Sequence, residues 1–575
     1  MDNRNLAIAI VLCIVIFLGW NFLSYKMGWI PEEKAPGRVT APSAGSSAPD
    51  APAGSPDAPA ASPDAPAGSP GVVADFAGQS PAPVPASVAG RTVSVETPLY
   101  TAVLQADGGV LCRFTLKGYR TGIGGSAPLV EMLDAPAAAQ APLGVLLDGL
   151  ATWNGPRWTL AGGDLNLADG EGGVLTFTAD VDGVALRREL AFSASDYVIS
   201  ERLFLASPRQ RTVNTAFTLG ISSLNTDRKV SVFTSLRHAL FGGPQPEPEE
   251  SQYNPTRVAW LQGADFDEES SPADLAKGTP VLNGASWMGV MNNYFLGAVS
   301  MDDPAAGAKG RLIGSVYHVL IGKTGVALRP GEEVLLRSAY FLGPKESGRL
   351  AATPNNIGKA LDYGFFSVIA RPLVRLLVFF HGYTNNYGTA VILMTMLIKL
   401  IFWPLSQKSY KSMNQMKKLQ PMMLKIREKY KNDKEAMNRE VMQLYKTYKV
   451  SPAGGCLPIV VQIPVFFGLY QGLLNAIELR HSPFIATLPF TDIPWLADLA
   501  SPDPWLITPL IMGATMFLQQ KMSPSSADPT QARIMMLMPL IFTVLFLNFP
   551  AGLVVYWLVN NVISIGQQWW QLRRA

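Results

Sequence analysis

Residues 388–405 read GTAVILMTMLIKLIFWPL, an apolar run broken by one cation, Lys399, and closed by Trp403-Pro404. A run of about eighteen apolar residues is long enough to cross a bilayer as a helix. A cation placed inside such a helix costs about 2.5–3.5 kcal/mol on insertion scales, so it faces a bundle interior or a watery cavity rather than lipid. The stretch that follows has the opposite character. Between Ser406 and Val450 lie twelve lysines and arginines against four acids, a net of +8. Loops rich in lysine and arginine stay on the cytoplasmic side. These two neighbouring stretches assign the chain to the polytopic α-helical membrane proteins and fix its orientation.

Composition agrees. Only 16% of the 575 residues are charged and 48% are hydrophobic, against about a quarter charged in ordinary soluble domains. Downstream, Leu457–Leu474, Trp505–Leu518, Ile534–Phe549 and Ala551–Gly566 are further apolar segments. The last two meet at Asn548-Phe549-Pro550-Ala551-Gly552. Read as one helix they would extend about 50 Å, too long for one span, so two short spans joined by a turn are expected. Upstream, Phe365, Phe366, Ile369, Leu373, Leu376, Leu377 and Phe380 share one helical face, with Ser367, Arg371 and Arg375 on another. Residues 361–385 therefore read as an amphipathic helix lying in the interface.

The amino-terminal half divides by composition. Leu6–Leu23 is apolar and lacks a small-residue cleavage site, so residues 1–26 read as an uncleaved anchor rather than a signal peptide. Residues 27–90 are rich in Ala, Pro, Gly, Ser and Asp, with Ser-Pro-Asp-Ala-Pro-Ala at Ser55 and again at Ser62; such a segment has little to bury and reads as a disordered linker. Residues 91–345 show strand-like alternation at Thr92–Val95 and Val174–Thr178, punctuated by Asp107-Gly108-Gly109, Asp182-Gly183 and Pro330-Gly331. Many short strands with turn signals between them predict an all-β sandwich domain. Counting spans outward from the basic loop gives six, with both termini cytoplasmic and the β domain on the far side.

The residues that carry chemistry lie in the apolar third. Thr395 sits one turn before Lys399 on the same face. Asn560, Ser564, Gln567 and Gln571 recur at spacings of four, three and four along the last span, and Gln462 adds a polar group to the Leu457 span. Polar side chains in membranes often serve only as helix–helix contacts; with a cation among them, a hydrated groove is the better reading. In the basic loop, Met416, Leu419, Met423, Ile426 and Tyr430, then Met437, Val441, Leu444 and Tyr448, alternate by three and four around Asn432-Asp433. This predicts an antiparallel helical hairpin over 406–450 with one apolar seam. Its charge suits ribosomal RNA, anionic lipid or an acidic partner.

Other chemistries find no support. The three cysteines, Cys13, Cys112 and Cys456, form no metal-ligand pattern, nor do the four histidines, His238, His318, His381 and His481, cluster in sequence. Gly322-Lys323-Thr324 imitates the end of a phosphate-binding loop, but Tyr317 stands where its first glycine belongs. No catalytic residue, metal or cofactor is expected.

Several stretches together resemble the YidC membrane protein insertases of Gram-negative type: Thr395–Leu405, Leu419-Gln420-Pro421, Ser451–Pro458 followed by Gln462-Ile463-Pro464, Gly513–Phe517 with Gln520–Pro524, and Phe549–Leu553. The resemblance covers the whole chain apart from the linker. It implies a five-span insertase core over 388–575, a periplasmic domain of super-sandwich fold, and residence in the bacterial inner membrane. It implies a substrate groove containing Lys399, at a position where relatives carry arginine, with Thr395, Gln462, Asn560, Ser564 and Gln567 beside it and Tyr556 and Trp557 as an aromatic pair contacting substrate. It also implies that Lys417, Lys418, Lys425 and Arg427 make contacts from the hairpin. The implied partners are nascent membrane proteins, the Sec translocon, the ribosome and membrane lipids; the implied mechanism inserts and helps fold membrane proteins without ATP, alone or with the translocon. Two rival readings remain at this level: a small-molecule or lipid transporter, which predicts internal repeats that the sequence does not show, and a tethered carbohydrate-processing enzyme, which would need a carboxylate–histidine site around His238 or His318.

Overall fold

The computed structural model describes residues 91–224, 254–448, 450, 457–491, 493–522 and 529–574. The expected anchor (1–26), the linker (27–90), His238, Cys13 and Cys456 lie outside the described residues.

Residues 92–344 form a β-rich domain. A nine-stranded sheet carries the central antiparallel neighbours Ala285–Met291, Phe295–Met301, Glu333–Pro344, Val198–Ala206 and Val184–Ser193. A six-stranded sheet, centred on Gly307–Ile313, Val316–Leu328 and Arg211–Ile221, stacks against it, and a five-stranded sheet begins the domain. Thr92–Val95 and Val174–Thr178 alternate buried and less buried positions as expected, and Tyr100–Gln105 and Val184–Ser193 do the same. Phe295–Met301 does not alternate, because every one of its residues is buried. One face lies under the six-stranded sheet, where Gly297 leaves room for Ile221, and the 3-10 segment Pro354–Ala360 buries Ile357 and Ala360 in the same core. The turn signals are all realised: Asp182-Gly183, with both residues at positive φ, joins two paired strands, and Pro330-Gly331 separates Leu328 from Glu333.

The second half is helical: α1 Ser367–Thr384, α2 Tyr387–Ile401, α3 Trp403–Lys429, α4 Lys434–Thr447, α5 Leu457–Asn475, α6 Ile507–Met522, α7 Pro529–Phe546 and α8 Ala551–Arg574. Local chemistry sets the boundaries. Asn385, at φ 49°, ends α1, and the Asn386 side chain accepts the Thr389 amide (2.9 Å) to start α2, a standard N-cap. Asp433 caps α4 through the Ala436 amide (2.9 Å). Between α2 and α3 the axis bends by 64° at Phe402, with Pro404 in the first turn of α3; proline lacks the amide to continue the ladder and is best accommodated in a first turn.

The five apolar segments thus become α2, α5, α6, α7 and α8, but their lengths do not establish six spans. Among the described residues, one helix with its lead-in turn, Gly364–Thr384, is by itself long and apolar enough to cross a membrane; the bent pair α2–α3 qualifies only if taken as one span. Protein covers only part of the apolar face expected of α1. Leu373 and Leu377 are buried, but Phe365 is 80% exposed. It precedes α1 in the 3-10 turn Gly364–Phe366, whose different rotation per residue takes it off the buried face. Gly468 and Gly472 of α5 let α1 approach closely at Ile369 and Val374.

The β domain is docked on the helices. Ile477, just after α5, is part of the β domain's buried core. Arg480 donates to the Arg120 carbonyl (2.8 Å) and lies over the Phe295 ring.

Candidate functional site

The bend at Phe402 brings the first turns of α3 back over Lys399. The lysine is 8% exposed, and its Nζ donates to Ser564 Oγ on α8 (2.7 Å). Ser564 Oγ in turn donates a hydrogen bond to the Asn560 carbonyl (2.7 Å). The Asn560 side-chain oxygen accepts from Gln462 Nε2 on α5 (2.6 Å), and Tyr410 of α3 donates to the Ser564 carbonyl (3.4 Å). Lys399, Gln462, Asn560 and Ser564 therefore form one connected polar cluster drawn from three helices.

No carboxylate joins it. The sequence from Tyr387 to Ser406, α5, α6, α7 and α8 contain no acidic residue, and Lys399 forms no ion pair among the described residues. A buried ammonium held only by neutral oxygens keeps its charge available to an incoming acid. The free space at the cluster is a narrow cleft of about 10 Å³ bounded by Ile398, Phe402, Leu405, Ser406 and Gln462, about the smallest volume that admits one water. The site is closed in this structure, with no room for a peptide segment.

The other expected site residues are distributed differently. Thr395 is buried, but its hydroxyl donates to Val391 O of its own helix (2.6 Å), a bond that a mid-helix threonine forms readily. Trp557 turns into an apolar cluster with Phe466 (ring centroids 4.9 Å) and Phe546 (5.5 Å). Tyr556 is fully buried. Gln567 is buried with neither amide atom hydrogen-bonded, as are Asn561 Nδ2 and Gln568 Oε1. Buried polar atoms without partners are costly in an apolar medium, and their concentration on the carboxy-terminal half of α8 continues the polar stripe beyond Ser564. The sequence reading missed Asn561 and Gln568, which neighbour the stripe, and Ser406 and Tyr410, which line it from α3. Ser406 and Tyr410 follow Lys399 at nearly helical spacing; the 64° bend, invisible in the sequence, is what folds them back over it.

In the hairpin, α3 and α4 pack antiparallel as expected. Leu419 is buried and Tyr445 meets Met423 (Oη–Sδ 3.5 Å). Tyr448, just after α4, is 51% exposed but also reaches α3, its hydroxyl lying 3.7 Å from Met422 Sδ. Lys417, Lys418 and Lys425 are exposed and Arg427 is half-buried.

The β domain offers no counterpart. His318 is buried in strand Val316–Leu328, its Nε2 has no hydrogen-bond partner, and among the described residues no group of three or more His, Cys, Asp and Glu gathers in space. Gly322-Lys323-Thr324 lies inside the same strand, not at a helix start where a phosphate loop would place it.

Comparison with known proteins gives consistent matches. The family described as "YidC periplasmic domain" matches residues 92–376, and that described as "60Kd inner membrane protein" matches residues 379–575. The membrane protein insertase YidC of Nitratidesulfovibrio vulgaris (strain DP4) is 52% identical over 100% of both chains, and that of Oleidesulfovibrio alaskensis is 50% identical, again over 100% of both. A solved structure titled an active YidC insertase with the first transmembrane domain resolved aligns with 83% of this chain and 91% of its own at 16% identity, with a TM-score of 0.33.

Proposed function

The chain belongs to the YidC family of membrane protein insertases, and we propose that it inserts hydrophobic segments of newly made proteins into the inner membrane through the Lys399 cluster. The observation that carries this reading is the buried cation of α2, bonded to Ser564 with no acid beside it. Parting the helices exposes Lys399 to a substrate's acidic tail. Attraction in a poorly solvated site is stronger than in water. The apolar segment of the substrate then follows along the exposed flanks of α6 and α7, where Leu510, Phe517, Leu537, Leu540 and Ile541 are uncovered, and partitions into lipid. Hydrophobic transfer supplies the free energy, so no nucleotide is needed.

The finer assignments follow from this reading. Residues 1–26 anchor the chain, 27–90 tether the periplasmic super-sandwich over 91–345, and 388–575 form a five-span core, giving six spans with both termini cytoplasmic. Residues 361–385 lie in the interface, supported by the exposure of Arg371 and Arg375 in mid-helix. Lys417, Lys418, Lys425 and Arg427 meet the ribosome or anionic lipid, and the β domain meets the Sec translocon. The chain acts as an insertase and chaperone rather than an enzyme.

The test is reconstitution of the purified chain in liposomes with a short single-span substrate bearing an acidic tail. Wild type and Lys399→Arg insert it; Lys399→Ala does not. Full insertion by Lys399→Ala would remove the lysine from the mechanism, and failure of folded wild type across several substrates would remove the insertion reading itself.

A further inference from the structure

Between α5 and α6 the chain builds a small β-hairpin, Ile485–Thr487 paired antiparallel with Pro494–Leu496. Its base is fixed over the start of α2. The Phe484 ring fills the space that a side chain at Gly388 would occupy, and Asn386 Nδ2 donates to the Phe484 carbonyl (3.0 Å). At its tip the Thr491 amide is bonded to Leu488 O (3.0 Å) and the Leu488 amide to Ile493 O (2.9 Å). Pro489 followed by positive φ is the pattern of a type II turn, whose third position favours glycine or asparagine. That position is held by Phe490, at φ 67°. The phenylalanine is fully exposed at 106%, and Ile493 beside it is 42% exposed.

A bulky residue in the left-handed region is strained, and such strain collects at functional sites. Among the described residues nothing covers the Phe490 side chain. The patch is continuous with exposed apolar residues at the start of α6. Trp505 Nε1 bonds to Pro494 O (2.9 Å), tying the hairpin to the entrance of α6, and Trp505, Leu510 and Ile511 are exposed in succession (52%, 58%, 46%). Between His481 and Asp498 the sequence carries a single charged residue, Asp492. Aromatic residues beside the ends of spanning helices sit at the headgroup level. We propose that this hairpin is an interfacial wedge: Phe490 and Ile493 enter the outer leaflet at the periplasmic ends of α5 and α6 and anchor that end of the bundle in lipid.

The test is independent of insertion activity. In the full-length chain with Cys13, Cys112 and Cys456 replaced by alanine, a single cysteine at Phe490 carries an environment-sensitive fluorophore; separate samples carry it at Ile493 or at Ile123, an exposed β-domain residue (55%). Each is reconstituted in phosphatidylcholine vesicles with bromines high on the acyl chain, and then probed with aqueous iodide. The label at 490 loses most of its emission to brominated lipid and little to iodide, while the label at 123 does the reverse. Should Phe490→Cys disturb the turn, Ile493→Cys reports on the same insertion. Iodide quenching at 490 and 493 equal to that at 123 would overturn the proposal. So would shielding from iodide without quenching by bromine, which would mean that protein covers the tip.

Discussion

Ser564 stands between two partners, accepting from Lys399 Nζ at 2.7 Å and donating to the Asn560 carbonyl at 2.7 Å. It is the acceptor that makes a buried ammonium tolerable in the closed bundle. Hydrogen bonds to charged groups contribute about 1.5–3 kcal/mol. Ser564→Ala is therefore expected to lower the stability of the chain in detergent by about that amount. In a Lys399→Met background, with the charge gone, the same change should cost less than about 1 kcal/mol. The pair of thermal unfolding series measures the coupling; equal costs in both backgrounds would show that Ser564 does not support the lysine.

The approach of α6 to α7 is set by one glycine. A Cβ at Gly513 would lie 2.0 Å from Thr543 Oγ1 and 3.1 Å from Thr543 Cβ. Gly513→Ala should destabilise the bundle by about 1–3 kcal/mol, the usual cost of overpacking. Thr543→Ala removes the nearest atom, so the double variant should recover much of that loss. Resistance to unfolding in a denaturing detergent reads both.

Much of this arrangement was legible in the sequence because it is carried by periodicity and charge. Lys399 interrupts an apolar run, Asn560 and Ser564 repeat at helical spacing, and both hairpin arms follow from their apolar seams. What could not be read depends on geometry between helices. The bend at Phe402 folds Ser406 and Tyr410 over the lysine. Thr395 shares the right face, yet its proton is taken by its own backbone at Val391. Trp557, adjacent to the fully buried Tyr556, points to Phe466 and Phe546 instead of the cluster. The left-handed turn at Phe490 has no sequence signal, since the expected glycine is absent.

Arg188 and Glu201 form an ion pair in the β domain (2.7 Å) with both side chains wholly buried. The guanidinium also donates to Gly108 O and Leu143 O, and Ser338 Oγ donates to the carboxylate (3.3 Å). Removing one partner of such a pair strands the other charge, at a cost of about 3–5 kcal/mol. Arg188→Met alone should therefore unfold the domain readily. Arg188→Met with Glu201→Leu should be far less harmful, because well-packed apolar groups replace buried pairs at little cost. Urea titration followed by β-sheet circular dichroism distinguishes the two.

The buried His318 makes the periplasmic domain sensitive to acid. Burial, reinforced by the nearby Arg311 charge, pushes its imidazole from 6.5 down to about 4. Between these values the unfolded chain is protonated and the folded one is not, so unfolding takes up a proton and stability falls as pH falls. Above about pH 7 the group contributes nothing to the pH dependence. The loss grows through pH 6.5, is complete near pH 4, and amounts to about 3 kcal/mol. Amide exchange in Val316–Leu328, corrected for its intrinsic pH dependence, should reveal progressive weakening over that window. His318→Gln, which cannot charge, should show a flatter profile there even if its stability at pH 7 is lower. An identical slope in both proteins would assign the acid sensitivity to other groups.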